Sequence, residues 1–242
     1  MTLLLEKENI KMQEKIDAKK LYKSGTSYQF ETPEILLGPW TSYSMKTDPK
    51  HLCFVLSRYK FCAKLLERKE KLNVLEVGCG DGIGLPILAS VTNNVYAADW
   101  DKRLLDDNQE RMYFLKNVQY KEVDFNLETC NDLGKIDAVI LIDVIEHLAP
   151  DSESRFMDNV INCITDSKKG FMIVGTPNIT ASGYASPQSK VQHCNLKSVD
   201  SLRELMSERF YNVFMFGQND EVVHTGYAPM CHYIWALGVG VK

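Results

Sequence analysis

Four glycines at alternate positions stand in the stretch Val74-Leu-Glu-Val-Gly78-Cys-Gly80-Asp-Gly82-Ile-Gly84, directly after a short apolar run. Glycine carries no Cβ, so such a run lets the backbone turn sharply and approach a bound molecule closely. Between a strand and a helix it lies at the carboxyl edge of a sheet, where open α/β proteins bind cofactors. The register narrows the choice. A dinucleotide fingerprint needs Gly-x-Gly-x-x-Gly, and Ile83, Leu85 and Ile87 occupy the third-glycine place in every frame. The next apolar run ends at Asp99. A carboxylate at that strand tip can accept both hydroxyls of a ribose diol. Asp99 alone would suit a nicotinamide dinucleotide equally well; the glycine register separates the two.

The pattern Glu76-x-Gly78-x-Gly80-x-Gly82 followed by Asp99 resembles the signature of class I S-adenosylmethionine (SAM)-dependent methyltransferases, and the resemblance extends over residues 72–178. It implies SAM as cofactor and S-adenosylhomocysteine as product. On the resemblance, Glu76, Gly78, Gly80 and Gly82 form the turn around the cofactor and Asp99 holds the ribose. Trp100 packs on adenine, Asp124-Phe125 at the end of the third strand receives the adenine amino group, and Asp143 completes the set.

A fourth run, Asp137-Ala-Val-Ile-Leu-Ile-Asp143-Val-Ile-Glu146-His147-Leu, resembles the strand-end Glu-His element of small-molecule methyltransferases of the ubiquinone-biosynthesis type. It would bring Asp143, Glu146 and His147 toward the reaction centre. Histidine suits a general base near neutral pH; the alternative is that Glu146 and His147 only brace the loop. His193 is a second candidate base, and His224 a third. The Asn/Asp-Pro-Pro-aromatic turn of amino-directed DNA enzymes does not occur here, and no Pro-Cys nucleophile exists. Asp143 with Asp166 or Glu221 makes a poor case for magnesium, so no metal is expected.

Acceptor binding should fall outside the cofactor half. Gly175-Thr-Pro-Asn178 leaves strand five, and residues 179–195 read as a long polar loop, a lid. Asn178, Tyr184, Gln188, His193 and Asn195 would orient the acceptor there, with Trp40, Tyr43 and the 219–227 loop bearing His224 as walls. His232 reads as a strand residue with a structural role. The implied reaction is O-methylation of a small polar acceptor: a sugar, a glycan precursor or a nucleotide-linked metabolite. Methylation of nitrogen or of a phosphorylated metabolite is the alternative. A catalytically silent partner subunit is another, against which the intact glycines and Asp99 argue.

These residues need elements to position them. Short apolar runs at 73–77, 95–98, 118–123, 138–142 and 171–175 alternate with helical stretches near 84–90, 102–116 and 152–164. A helix over 199–208, N-capped by Ser198, precedes two more runs at 213–216 and 231–239. This is an α/β pattern: a Rossmann-like, doubly wound, mostly parallel sheet, seven-stranded with an antiparallel last strand on the resemblance. Asp48-Pro49 announces a helix with apolar residues at 52, 55, 56, 59, 62, 63 and 66. Residues 1 to about 20 read as a solvated helix, and 21–47 as an irregular aromatic segment. The expected division is a helical cap over 1–70 and a methyltransferase domain over 71–242.

Composition excludes several classes. With 45% apolar and 25% charged residues the chain can form a core, so it is not disordered throughout. The net charge of −4 gives no general pull toward nucleic acid or anionic membrane, and neither partner is expected. Seven cysteines without a Cys-x-x-Cys pair argue against a disulfide framework or zinc cluster. No signal peptide or long apolar span is evident, so the expected location is the cytoplasm.

Overall fold

The computed structural model describes residues 17–130 and 132–242, so the amino-terminal part of the first expected helix lies outside the described residues. The chain divides into two compact units at Leu36/Leu37. From the first, one helix is described, α1 (Ala18–Glu31). Asp17 caps it by accepting from the Lys19 and Lys20 N–H groups, and none of its residues is buried. The second unit, Leu37–Lys242, contains every other described element. The segment at 37–70 thus belongs to the same compact unit as the sheet. Two helices occupy that segment, α2 (Pro39–Thr47) and α3 (Pro49–Leu66). Proline at the first turn starts each one, where its missing N–H costs nothing. Asp48 precedes α3 as expected, but its carboxylate makes no capping bond.

The strands are β1 (Asn73–Val77), β2 (Asn94–Asp99), β3 (Val118–Glu122), β4 (Ala138–Ile142), β5 (Phe171–Pro177), β6 (Phe210–Asn219), β7 (Val222–His224) and β8 (Tyr233–Val241). They form one sheet in the order β3-β2-β1-β4-β5-β8-β6-β7. The pairs among β1 to β5 are parallel, and β8 runs antiparallel between β5 and β6. The sheet has eight strands, one more than expected. The addition is β7, which folds back on β6 through Asp220 (φ 49°) and turns the expected open loop into a hairpin.

The connecting helices are α4 (Leu85–Val91), α5 (Lys102–Arg111), α6 (Glu153–Ile161), α7 (Pro187–Gln192) and α8 (Val199–Ser207). Apolar side chains of α3, α4 and α5, such as Tyr59, Leu66, Leu88 and Leu105, pack on one face of the sheet. Those of α6 and α8, such as Phe156, Met157, Leu202 and Met206, cover the other. Both faces are thus buried, which is why β4 (Ala-Val-Ile-Leu-Ile) is apolar at every position and buried throughout. The chain winds outward from β1 to β3 and returns to β4 on the other side of β1. The carboxyl ends of β1 and β4 therefore flank the switch point where such folds bind ligands.

Candidate active site

The glycine turn leaves β1 at that switch point. Gly78, Gly80 and Gly82 have φ of 74°, 55° and 74°, in the left-handed region that favours glycine. A Cβ at Gly80 would meet the Trp40 ring at 2.7 Å, and one at Gly78 would meet Val144 at 2.6 Å. The turn is held from several sides. Gly78 N–H donates to Ala98 O (2.8 Å), Asn108 Nδ2 to Gly80 O (2.7 Å) and Arg111 Nη2 to Asp81 O (2.9 Å). The Asp81 carboxylate accepts from Thr41 N–H (2.7 Å) at the start of α2, which brings Trp40 over the turn. Trp40 thus has a defined place beside Gly80, and Tyr43 lies exposed on the same helix. The expected irregular 21–47 segment is instead largely helical, because Gly38-Pro39 starts α2 and the buried Asp81 anchors it.

Asp99 ends β2 beside this turn. One carboxylate oxygen accepts from Gly80 N–H (3.0 Å) and the other from Asp101 N–H (2.9 Å). A carboxylate offers about four lone-pair sites, so two remain for a ribose diol. A cradle that side chains would fill, with a buried carboxylate at the neighbouring strand tip, fits a nucleoside cofactor. Trp100 is exposed next to it. Asp124 accepts from Asn126 N–H and Nδ2 (2.9 and 3.0 Å). Phe125 is buried against Phe156 (centroids 6.1 Å apart), so its ring belongs to the core and not to a cofactor surface. Glu76 is also fully buried. It takes a hydrogen bond from Tyr59 of α3, and desolvation pushes its carboxyl up to about 8.

The β4 exit carries the second half of the site. Asp143 adopts φ 56°, unusual for a non-glycine residue, and pairs with Arg58 of α3. A single 3-10 turn, Ile145–His147, follows. Glu146 is buried; its Oε2 accepts from Thr176 Oγ1 (2.9 Å) while its Oε1 has no partner. Desolvation, then the Asp143 charge, raise the Glu146 carboxyl to about 8. His147 is exposed, with Nδ1 facing Gln192 O at 3.3 Å, and its ring meets that of His193 edge-on at 4.9 Å. One ligand atom from each of Glu146, His147 and His193 lies within 4.8 Å of the other two. Two imidazoles and a carboxylate are a donor set for a divalent first-row cation, and the Nδ1–H bond to Gln192 O would leave His147 Nε2 as ligand. Sequence reasoning missed this grouping. Glu146 and His147 were visible, but nothing local signalled that His193 would reach them.

His193 gets there because the 179–195 segment is built, not loose. It contains a 3-10 helix over Ile179–Tyr184 and α7, where a loop was expected. A parallel bridge between Asn178 and Lys197 closes its neck. Its returning leg is stitched to the β4 exit: Asn195 N–H donates to Glu146 O (3.0 Å) and Cys194 Sγ to Leu148 O (3.2 Å). Lys197 Nζ pairs with Glu153 (2.7 Å) and also binds Asn195 Oδ1 (3.0 Å).

Three of the expected acceptor contacts are corrected by this arrangement. Asn178 is buried and spends both Nδ2 hydrogens on Ala228 O and Cys231 O (3.0 and 2.8 Å). Asn195 commits its amide to Glu153 and Lys197. His224 lies in β7, with Nδ1 accepting from Gly226 N–H (2.9 Å) and Nε2 facing Asn219 Oδ1 (3.2 Å). All three are structural. Tyr184 and Gln188 are exposed and free of such ties. His232 precedes β8 instead of lying in it.

Residues 50–213 match the family model described as "Methyltransferase domain". The chain belongs to the methyltransferase-domain family. Its cofactor is accordingly S-adenosylmethionine, in agreement with the glycine cradle and Asp99. A probable SAM-dependent methyltransferase of Mycobacterium tuberculosis is 29% identical over 156 residues, 64% of this chain and 54% of the relative. The small RNA 2'-O-methyltransferase of Mus musculus is 27% identical over 133 residues, 50% of this chain and 33% of the relative. The chain thus spans about half the length, or less, of these curated relatives. Among solved structures, the methyltransferase domain of bacterial CtHen1 superposes with a TM-score of 0.63 at 16% identity, covering 77% of this chain and 99% of that one. At that identity it is the fold that is shared. No described helix is long and apolar enough to cross a membrane.

Proposed function

We propose that this methyltransferase-domain protein methylates a hydroxyl oxygen of a small polar acceptor, a sugar or a nucleotide-linked sugar. The buried Glu146 carries this reading: its Oε1 has no partner, and one of its carboxylate oxygens lies within 4.8 Å of both imidazoles. When bound, SAM supplies a methyl group on a positively charged sulfur, open to attack by an oxygen lone pair. The chain must bring a hydroxyl to that methyl and take its proton. Gly78 to Gly82 and Asp99 hold the cofactor. Asp143, at the β4 exit next to Val144, which abuts Gly78, would border its reacting end. A divalent cation held by Glu146, His147 and His193 would lower the pKa of a bound hydroxyl. A hydroxyl bound in this way would release its proton to water; without a cation, His193, whose pKa is lowered by burial and then by the neighbouring His147, would be the neutral imidazole that accepts it.

A ribose 2'-hydroxyl at an RNA end is the second reading. It is favoured by the mouse small RNA 2'-O-methyltransferase among the relatives. The net charge of −4 weighs against it, since a phosphate backbone is normally met by basic surface. Transfer of a labelled methyl from SAM, with Mn²⁺ or with a chelator, to nucleotide sugars, glycosides and short RNAs tests both. Label in sugars that depends on the cation is the expected result. Label in RNA alone would replace the first reading with the second, and cation-independent transfer would remove the cation.

A further inference from the structure

The Asp143 carboxylate also borders a group of side chains that the proposed reaction does not use. On one side lie Glu146 and His193, both within reach of its charge. On the other, Arg58 pairs with it. The Arg58 guanidinium is stacked between the rings of Phe54 and Tyr233, 3.8 and 4.1 Å from their centroids. His232 stands edge-on to Phe54 at 4.8 Å, and His51 at 5.8 Å. The residues come from α3 and from the start of β8, which no sequence motif assigns to a site.

This group carries costs that packing alone does not explain. Arg58 and Tyr233 are buried, yet Arg58 Nε and the Tyr233 hydroxyl have no hydrogen-bond partner; the hydroxyl lies against Asp143 without reaching bonding geometry. Unpartnered buried groups are expensive, and a buried ion pair is often no better for stability than an apolar pair of the same size. Asp143 adds a left-handed backbone, and such strain collects at functional sites. The outer part is accessible: His51 is exposed, while Phe54, Asp143 and His232 are half-buried.

The charges select the ligand class. Arg58 and Asp143 cancel. Burial, and after it the Arg58 charge, lower the pKa of both His51 and His232, against the pull of Asp143 and Asp48 on the first and of Asp220 on the second. A wall of rings flanked by the carboxylates of Asp143, Asp48 and Asp220 suits an uncharged ring with one apolar face and several hydroxyls, and repels a phosphate chain.

We propose that His51, Phe54 and His232 form the subsite for the acceptor's sugar ring, with its C–H face on Phe54 and a hydroxyl on Asp143, which Arg58 positions. The assignment rests on the O-methylation reading and names its acceptor class.

Saturation-transfer NMR on the full chain tests it, using methyl α-glucoside, methyl α-mannoside, methyl α-rhamnoside and a short single-stranded RNA as probes. At least one glycoside should receive saturation on its ring protons, falling about fivefold or more in Phe54→Ala and His51→Ala and retained in Tyr211→Ala, an exposed residue of β6 outside the proposed site. His51 is exposed, so His51→Ala remains informative even where Phe54→Ala fails to fold. Silence from all three glycosides, or a signal indifferent to both substitutions, overturns the subsite. So does saturation of the RNA alone. In turnover, Arg58→Met should raise the acceptor KM on the order of tenfold at nearly unchanged kcat in the folded variant, and Arg58→Lys should restore part of it. An unchanged acceptor KM in Arg58→Met overturns the positioning role. SAM affinity, measured by calorimetry on the same samples, reports separately on the methyltransferase reading: wild-type chain that fails to bind SAM removes that reading, whatever the glycosides do.

Discussion

His147 and His193 come from separate excursions of the chain, and their rings meet edge-on with centroids 4.9 Å apart. Neither ring is placed by its own helix or strand. His147 ends a 3-10 turn after β4, and His193 follows α7. What aligns them is the pairing of 192–195 with 146–148, by which two segments share one wall.

The first prediction concerns the cation. Glu146, with its carboxyl near 8, holds a proton at neutral pH, and a cation must displace it. Affinity for Mn²⁺ should therefore rise with pH, by about tenfold per unit below pH 8 and little above it. Calorimetry in two buffers of different ionisation enthalpy should also register a released proton. His193→Ala should abolish the binding; Mn²⁺ affinity unchanged in a folded His193→Ala would show that the triad holds no metal.

Asp99 yields the second prediction. Asp99→Ala removes a charged acceptor from the ribose and from two backbone N–H groups. Hydrogen bonds to charged groups contribute about 1.5–3 kcal/mol, so SAM affinity should fall by about 10- to 150-fold. Tm should fall as well, because the Gly80 N–H loses its partner. Equal SAM affinity in wild type and variant would contradict the assignment.

The third prediction separates chemistry from bracing at His147. His147→Ala should lower turnover by roughly 10²–10⁴ while SAM affinity stays within about twofold. Near-normal turnover would assign His147 to bracing through its contact with Gln192 O.

Lys197 gives the fourth. Lys197→Met takes the cation from Glu153 and leaves Asn195, whose backbone N–H reaches Glu146 O, held on its side chain by Glu153 alone. Mn²⁺ affinity should drop on the order of tenfold, as for other residues that orient metal ligands, and Lys197→Arg should recover part of it. SAM binding should be unaffected. Equal loss of SAM and Mn²⁺ affinity would indicate general unfolding of the edge instead.

Glu76 provides the fifth, in stability. Its folded carboxyl sits near 8, far above the unfolded value of about 4.3, so the folded state binds the extra proton between those values. Stability must then fall as pH rises through that window, and the loss is complete above about pH 8. Glu76→Gln should flatten the decline of Tm between about pH 5 and 8. A slope unchanged by the substitution would show that Glu76 is ionised in the fold.

The cofactor half was legible in the sequence because its signals are local. Glycines at 78, 80 and 82 are demanded by left-handed backbone at those very residues, and Asp99 ends its own strand. The alternation of strand and helix likewise needs only short windows. The acceptor half was not legible for the opposite reason. Asn178 and Asn195 look like free amides in sequence, and only the distant carbonyls of Ala228 and Cys231 and the distant Glu153 and Lys197 reveal them as ties. Arg58 carried no local signal of a site, because its partner lies 85 residues away. β7 was missed because three residues carry too little pattern to register.

The bridge between Asn178 and Lys197 has a consequence for how such a protein can change over generations. It brings the two ends of the intervening peptide together at one point on the sheet, so insertions or deletions inside that stretch need not disturb β5 or α8. Closing a longer loop costs little, only about 0.6 kcal/mol for each doubling of length. A lineage can therefore exchange the outer part of this stretch, around Tyr184 and Gln188, as an interchangeable cassette. The inner leg, from Gln192 to Asn195, has no such licence, because every residue in it answers to the β4 exit.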